Sequence, residues 1–329
     1  MAALPARPPE REMTDKNLPT LTVVTPAYNQ AEFLRDTIES VLSQDYPNIE
    51  HIVLDDGSTD ETPEILASYG DRVRWETHKN MGQTATINKG WSMTSGEIIT
   101  WLNSDDTFYT NSSVREGMEY LIEHPNVGIV FGDSMYTEAD GTELEPTRPV
   151  IDFTYEKMVR TCENFISQPS AFIRREIVAK VGELDPKYYY FMDWDFWIRA
   201  GIYYGIEHVD AIWSTYRLHA ESKTVAQSKK AAPELEYLYE KFFARDDVPA
   251  EIRAIESEAM MNMCFTSGGY YLKGGDTENA AKMAKKAFEY NPKGKFEIAN
   301  LHKYLYCRLG NTAIYRKSRE LIRGPQPTY

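Results

Sequence analysis

The stretch Leu21-Thr22-Val23-Val24-Thr25-Pro26-Ala27-Tyr28-Asn29 decides the fold. Its apolar and β-branched start reads as a buried strand, and a polar, proline-containing turn follows at once. The pattern then repeats. His51-Ile52-Val53-Leu54 leads into Asp55-Asp56-Gly57-Ser58, and Val73-Arg74-Trp75 precedes Asn80-Met81-Gly82. Ile98-Ile99-Thr100-Trp101-Leu102 leads into Asn103-Ser104-Asp105-Asp106. Between the first two strands Phe33, Leu34, Ile38, Val41 and Leu42 share one helical face, and Asn29 with Glu32 fits a capping box at its start. Thr62-Pro63 marks a second helix start, with proline where its missing N–H does no harm. This strand-helix-strand order predicts an α/β fold with parallel strands and right-handed crossovers. In an open α/β sheet ligands gather at the carboxyl ends of the strands, so polar clusters repeated at that end predict a single cleft.

The 329 residues suffice for about two domains. A hydrophobic fraction of 42% and a charged fraction of 26% are those of a soluble globular protein. No apolar run approaches the ~20 residues that span a bilayer. The first 19 residues place Pro5, Pro8, Pro9 and Pro19 among charges with no apolar block, which predicts a disordered tail and no signal peptide. Cys162, Cys264 and Cys307 are odd in number and far apart, so neither a disulfide framework nor a cysteine metal site is expected. A reducing, cytoplasmic compartment fits this usage, with contact to the cytoplasmic face of a membrane left open. The net charge of −14 argues against nucleic-acid binding. It is unevenly spread: residues 1–229 hold 20 Lys and Arg against 37 Asp and Glu, whereas residues 230–329 hold 16 against 13. An acidic first part that handles a phosphorylated ligand needs a cation between them.

Strand-helix alternation runs to about Asp140. Another apolar stretch spans Phe165 to Arg174, followed by a helix through Val178 and then Gly182. Aromatics crowd residues 188–204, and Ile212-Trp213-Ser214-Thr215-Tyr216-Arg217 reads as a strand before His219. After about residue 228 only helical patterns remain. Leu235, Leu238, Phe242 and Phe243 form a face that needs a partner surface. Residues 259–292 resemble one tetratricopeptide-like hairpin, turning at Gly274-Gly275-Asp276 and ending at Asn291-Pro292; a helical cap over the catalytic part is the other reading. The expected division is a tail over 1–19, a catalytic domain over 20–228 and a helical domain over 229–329.

Adjacent carboxylates at a strand end, Asp105-Asp106, read either as turn and helix cap or as oxygen ligands for a hard divalent cation. Asp55-Asp56-Gly57-Ser58 reads either as a turn or as a carboxylate that bonds a base or ribose. No GxGxxG follows the first strand and no GxxxxGK[ST] occurs, so a nucleotide must be held by side chains and metal. Asp193 and Asp195 are one residue apart, so on a helix they point in different directions. The aromatics near Asp193 read mostly as core, with one or two available as a flat platform for a ligand ring.

Taken together, the segments Val23 to Asn29, Leu54 to Asp60 and Asn80 to Asp106 resemble glycosyltransferase family 2. The pair Asn80-x-Gly82 and Asn88-x-Gly90, then Ser95-Gly96-Glu97, match it in order and spacing. Met192-Asp193-Trp194-Asp195-Phe196-Trp197-Ile198-Arg199 resembles the family's Glu-Asp motif, and Tyr216-Arg217-Leu218-His219 its late Tyr-Arg-x-His segment. The resemblance covers residues 20–222 and implies the GT-A fold, a mostly parallel, Rossmann-like sheet flanked by helices. It implies a nucleotide-sugar donor, UDP-sugar favoured, a divalent cation (Mn2+ or Mg2+), and inversion at the anomeric carbon. The acceptor it implies is a glycan or lipid-linked molecule, as in polysaccharide biosynthesis. Carried over by position, Thr25, Pro26, Tyr28, Asn29, Asp55, Asp56, Asn80, Gly82, Asn88, Asn103 and Asp105 would bind the donor. Asp105, Asp106 and His219 would serve the metal, and Asp193 would be the general base. Two positions depart from the family. Asn103-Ser104-Asp105 stands for Asp-x-Asp, which shifts the metal onto the later carboxylates, and Met192 replaces the Glu of the Glu-Asp motif. Two other readings remain at this stage: a degenerate nucleotide-sugar-binding or scaffold protein, and a sugar nucleotidyltransferase, whose Gly- and basic-rich phosphate loop is missing between Thr25 and Phe33.

Overall fold

The computed structural model describes residues 18–147, 150–219 and 228–310, so most of the expected N-terminal tail and the segment 220–227 just before the expected boundary at residue 228 lie outside the described residues. The chain runs β1 (Leu21–Ala27), α1 (Leu34–Leu42), β2 (Ile49–Asp55), α2 (Thr62–Ser68), β3 (Arg74–Thr77), α3 (Gln83–Ser92) and β4 (Ile98–Trp101). It continues through α4 (Ser113–Glu123), β5 (Val127–Thr137), β6 (Glu143–Pro146), α5 (Tyr155–Thr161), β7 (Ala171–Arg174), α6 (Glu176–Val181), α7 (Met192–Ala200) and β8 (Gly205–Arg217). Helices α8 (Ser228–Phe243), α9 (Ala250–Arg253), α10 (Glu256–Lys273), α11 (Thr277–Tyr290) and α12 (Ile298–Leu309) follow.

The strands form one mixed sheet in the order β3-β2-β1-β4-β7-β5-β6, with β8 on β5. β3, β2, β1 and β4 are parallel, as expected from the sequence. β7 is antiparallel to both β4 and β5, and β8 is parallel to β5. Two reversals cancel, so β5 and β8 run in the same direction as β1 and β4. The carboxyl end of β8, carrying Arg217, therefore reaches the same edge as the loops after β1, β2 and β4.

Side chains alternate between two apolar layers, as a pleated sheet buried on both faces requires. Val24, Ile52, Leu54, Ile99, Trp101, Ile129 and Phe131 pack on one side with α3, α5 and α7. Leu21, Val23, Ile98, Val127 and Val130 pack on the other with α4, while Ala27 and Val53 meet α1 and α2. Gly90 has a packing reason: a Cβ there would lie 2.5 Å from the Val24 side chain, so only glycine lets α3 seat on β1. The expected capping box does not form. Phe33 holds the N-cap position of α1 with no side-chain cap, and Asn29 lies upstream in a left-handed conformation, its side chain engaged elsewhere. Thr62-Pro63 does open α2.

The helical extension shares the core of the sheet. Leu235, Leu238, Tyr239, Phe242 and Phe243 of α8 are buried in the same cluster as Met158 and Val159 of α5 and Trp194 of α7. Tyr239 Oη donates to the Val159 carbonyl at 3.1 Å, and Asn262 of α10 donates to the Arg160 carbonyl at 2.9 Å. The expected hairpin is α10 and α11, with Asp276 capping α11 through the Asn279 N–H. All three cysteines are buried free thiols. Among the described residues no helix is long and apolar enough to cross a membrane.

Because α8 and the sheet share one cluster, Leu238→Ala is expected to cost about 2–5 kcal/mol of global stability. Urea unfolding followed by tryptophan fluorescence and by circular dichroism checks this. One shared transition at lower denaturant is expected; a separate early transition of the helices alone would contradict it.

Candidate active site

The loops after β1 and β2 are laced together before they meet any ligand. The Asn29 N–H donates to Ser58 Oγ (2.9 Å), and Asn29 Oδ1 accepts from the Thr59 N–H (2.8 Å). The Ala31 N–H donates to Asp60 Oδ2 (3.0 Å). Asp56, buried at the end of β2, accepts the Met81 N–H on one oxygen (2.6 Å) and the Gly82 N–H on the other (2.9 Å). Gly57, at φ +79°, lets this loop approach the His78 carbonyl, 3.0 Å from where a Cβ would sit.

A cleft of about 890 Å³ opens above these loops, a size that suits a nucleotide-sized ligand. The structure brings Pro26, Tyr28, Asn29, Asp56, Asn80, Gly82, Asn103, Asp105, Asp106, Asp193 and His219 to its wall. Three expected residues lie elsewhere. Thr25 is buried, its hydroxyl 3.0 Å from His51 Nε2 inside the sheet. Asp55 is buried, accepting from the Ser58 N–H and the Thr77 hydroxyl. Asn88 exchanges two hydrogen bonds with the Leu184 backbone, pinning the segment that leads to α7. These polar groups hold the walls from behind; for Thr25 on β1 and Asp55 on β2 the reason is that side chains on alternate strand positions cannot all face the cleft.

At the floor, Asn103 joins an amide chain. Its Oδ1 accepts from Gln83 Nε2 (2.7 Å), and its Nδ2 donates to Gln168 Oε1 and to Asp106 Oδ2 (both 3.2 Å). Asp106 Oδ1 accepts the Arg217 N–H at 3.1 Å. Burial and the neighbouring Asp105 charge push the Asp106 carboxyl well above the usual carboxylate range, against those donors. Both oxygens are thus engaged by N–H groups. Among the described residues no group of three or more His, Cys, Asp or Glu converges for a metal. What remains is a pair. Asp105 Oδ2 lies 2.9 Å from His219 Nε2, and the imidazole leans on the Phe33 ring at 4.9 Å. The Arg217 guanidinium lies over that same ring and donates to the Asp105 carbonyl (3.0 Å), the Ala139 carbonyl (2.7 Å) and Asp36 (3.0 Å).

Asp193 stands in the first turn of α7 at the cleft wall, where the helix dipole favours a carboxylate. Its oxygens accept from the Trp194 N–H (2.7 Å) and from Asn164 Nδ2 (3.2 Å). Asp195 faces away, buried against Arg199, whose guanidinium also holds the Val181 and Glu183 carbonyls. Met192 is buried, its sulfur accepting from the Thr84 hydroxyl. Tyr189 and Tyr190 line the cleft beside Asp193, and sequence reasoning singled out neither. It also missed Glu234 of α8, which lies outside every motif. The Glu234 carboxylate accepts three consecutive N–H groups, from Tyr189 (3.0 Å), Tyr190 (2.6 Å) and Phe191 (2.8 Å). The helical extension thereby fixes the segment that enters α7.

Comparison with known proteins follows the same geometry. Residues 22–182 match the family model described as glycosyl transferase family 2. The chain is 30% identical over 215 residues to an uncharacterized glycosyltransferase of Rickettsia prowazekii, an alignment covering 63% of this chain and 66% of that one. The match thus leaves about a third of each chain outside the alignment. Among solved structures, S. aureus TarS residues 1–349 in complex with UDP-GlcNAc superposes with a TM-score of 0.66 at 15% identity, covering 94% of this chain and 93% of that one. The mannosyltransferase PcManGT from Pyrobaculum calidifontis, in complex with GDP-Man and Mn2+, gives 0.59 at 16% identity, covering 97% and 92%. At such identities the likeness is one of fold, and that fold is GT-A.

Removing the clamp by Glu234→Ala strands three N–H groups that bonded a charged acceptor, an expected loss of about 2 kcal/mol. Hydrogen exchange at the Tyr189, Tyr190 and Phe191 amides should accelerate markedly, and less so in E234Q, which keeps a neutral acceptor. Unchanged exchange in E234A would show that the bonds do not hold the segment.

Proposed function

The chain belongs to glycosyltransferase family 2, and from that premise we propose that it transfers a sugar from a nucleotide-sugar donor to a hydroxyl of a glycan or lipid-linked acceptor, inverting the anomeric carbon. One observation carries this reading: Asp193 and the Asp105–His219 pair line a single cleft large enough for a nucleotide-sugar. TarS binds UDP-GlcNAc and PcManGT binds GDP-Man with Mn2+, which supports a nucleotide-sugar donor; UDP is the favoured nucleotide here. The three buried thiols fit work in the reducing cytoplasm.

In this mechanism the laced loops after β1 and β2 and the Asp56-held segment at Asn80 to Gly82 form the donor side. Asp193 accepts the proton of the attacking hydroxyl, at a distance set by the helix start and by Glu234. A single base and a direct displacement give inversion, with no second carboxylate acting as nucleophile. Asp105 and His219 fit a divalent cation whose remaining positions diphosphate oxygens and water would fill, since such ions commonly use only one or two protein carboxylates. When bound, that cation would offset the negative charge growing on the leaving diphosphate. Arg217, bonded to the Asp105 backbone, keeps the carboxylate in place.

Asp193→Asn keeps the shape and the Trp194 N–H bond at the helix start but gives up the acceptor facing Asn164 and with it the basic oxygen. Transfer should fall 10² to 10⁴-fold, on the order of a lost general base, while UDP affinity stays unchanged. Asp195→Asn should instead lower thermal stability by disturbing the Arg199 pair, with folded enzyme still turning over. The assay takes as donor whichever nucleotide-sugar raises the melting temperature most. Near-wild-type turnover in D193N would remove Asp193 from the mechanism.

Calorimetry with UDP tests the cation. Strong binding is expected with Mn2+ and little with EDTA, and Asp105→Asn should weaken binding in Mn2+ alone. Equal affinity with and without the metal would contradict the proposed role of Asp105 and His219.

A further inference from the structure

Helix α12 is amphipathic the wrong way round. Asn300 and Cys307 face inward, the thiol reaching the Phe265 carbonyl of α10, and Lys303 bonds Asn262. The outward stripe is apolar. Ile298 is 87% exposed, Leu301 46% and Leu305 38%, at the 3- and 4-residue spacing that aligns side chains on one helical face. Phe296, 81% exposed, extends the stripe just before the helix, with the Lys295 ammonium over its ring. An exposed contiguous apolar stripe marks a surface meant to be covered.

Charge indicates what covers it. Residues 293–329 hold eight Lys and Arg against two Asp and Glu, a local net of +6. The preceding 292 residues hold 28 against 48, a net of −20. Among the described residues of this segment, Lys293, Lys295, Lys303 and Arg308 stand against Glu297 alone, so the stripe is flanked by positive charge. A two-fold dimer through this face would set the basic patch against itself, which opposes a second copy. An apolar helical stripe flanked by cations instead matches the boundary between acyl chains and anionic headgroups.

We propose that α12 and its basic surroundings dock the protein on an anionic lipid surface. Ile298, Leu301, Leu305 and Phe296 enter the acyl boundary, while Lys293, Lys295 and Arg308 meet lipid phosphates. The inference does not depend on the reaction proposed above.

The test is co-sedimentation of the full chain with vesicles of phosphatidylcholine alone or mixed with phosphatidylglycerol, at low and high salt. Partition onto the anionic vesicles is expected, weakened by salt through screening. The triple variant I298S, L301S and L305S changes only exposed positions, so it should keep its melting temperature and lose partition. K295Q with R308Q should lower partition on the order of tenfold. No partition, equal partition onto neutral and anionic vesicles, or wild-type behaviour of both variants overturns the proposal. So does a dimer seen by analytical ultracentrifugation in the wild type and lost in the triple variant, since a second copy would then be the cover.

Discussion

The interlock of Asp106 with Arg217 is the constraint on which the site depends. It joins residues 111 positions apart, the loop after β4 and the end of β8, through a buried carboxylate and a backbone N–H. The Arg217 guanidinium then ties in α1 through Asp36 and the β5–β6 turn through Ala139. Burying a carboxylate is costly unless its oxygens are bonded, and here backbone and amide donors bond both. The cost is visible in the raised Asp106 pKa. The interlock holds the Asp105 carbonyl and seats His219 against Phe33, so the Asp105–His219 pair is positioned by a second pair on the same cleft wall, Asp106 and Arg217.

Asn103 makes sense in the same terms. A carboxylate at that position would stand beside Asp105 and the buried Asp106, and three like charges in a low dielectric repel strongly. The amide offers an acceptor to Gln83 and donors to Gln168 and Asp106, which a carboxylate could not do. Gln168 in turn donates to the Trp101 carbonyl, tying the floor to β4. The departure from the family's Asp-x-Asp thus comes with its own hydrogen-bond partners. Met192, where the family has Glu, is likewise accommodated by burial against Thr84.

The helical extension acts on the cleft through one side chain. Its apolar residues enter the core that packs the sheet, and this fixes α8 firmly enough for Glu234 to hold three successive amides before α7. A carboxylate there satisfies the N–H groups of the three residues just before α7 and adds negative charge near the positive end of the helix dipole.

The parallel half of the sheet, the helix starting at Thr62-Pro63 and the gathering of Asp56, Asn80, Gly82, Asp105 and Asp193 at one edge were legible in the sequence. Each rests on local patterns: β-branched runs, turn residues and a consistent strand direction. Tertiary structure alone decided the long β5, its hairpin partner β6 and the reversal of β7, because whether a strand runs parallel depends on its neighbours. It also decided that Thr25, Asp55 and Asn88 support the cleft from behind, that Asp106 turns to Arg217, and that Glu234 reaches α7. A carboxylate's role depends on which donors surround it, and those donors come from chain positions tens to more than a hundred residues away. Sequence by itself determined which groups this chain could bring to the cleft; which of them face a ligand and which hold the frame was decided by burial and hydrogen-bond partners that only the folded chain supplies.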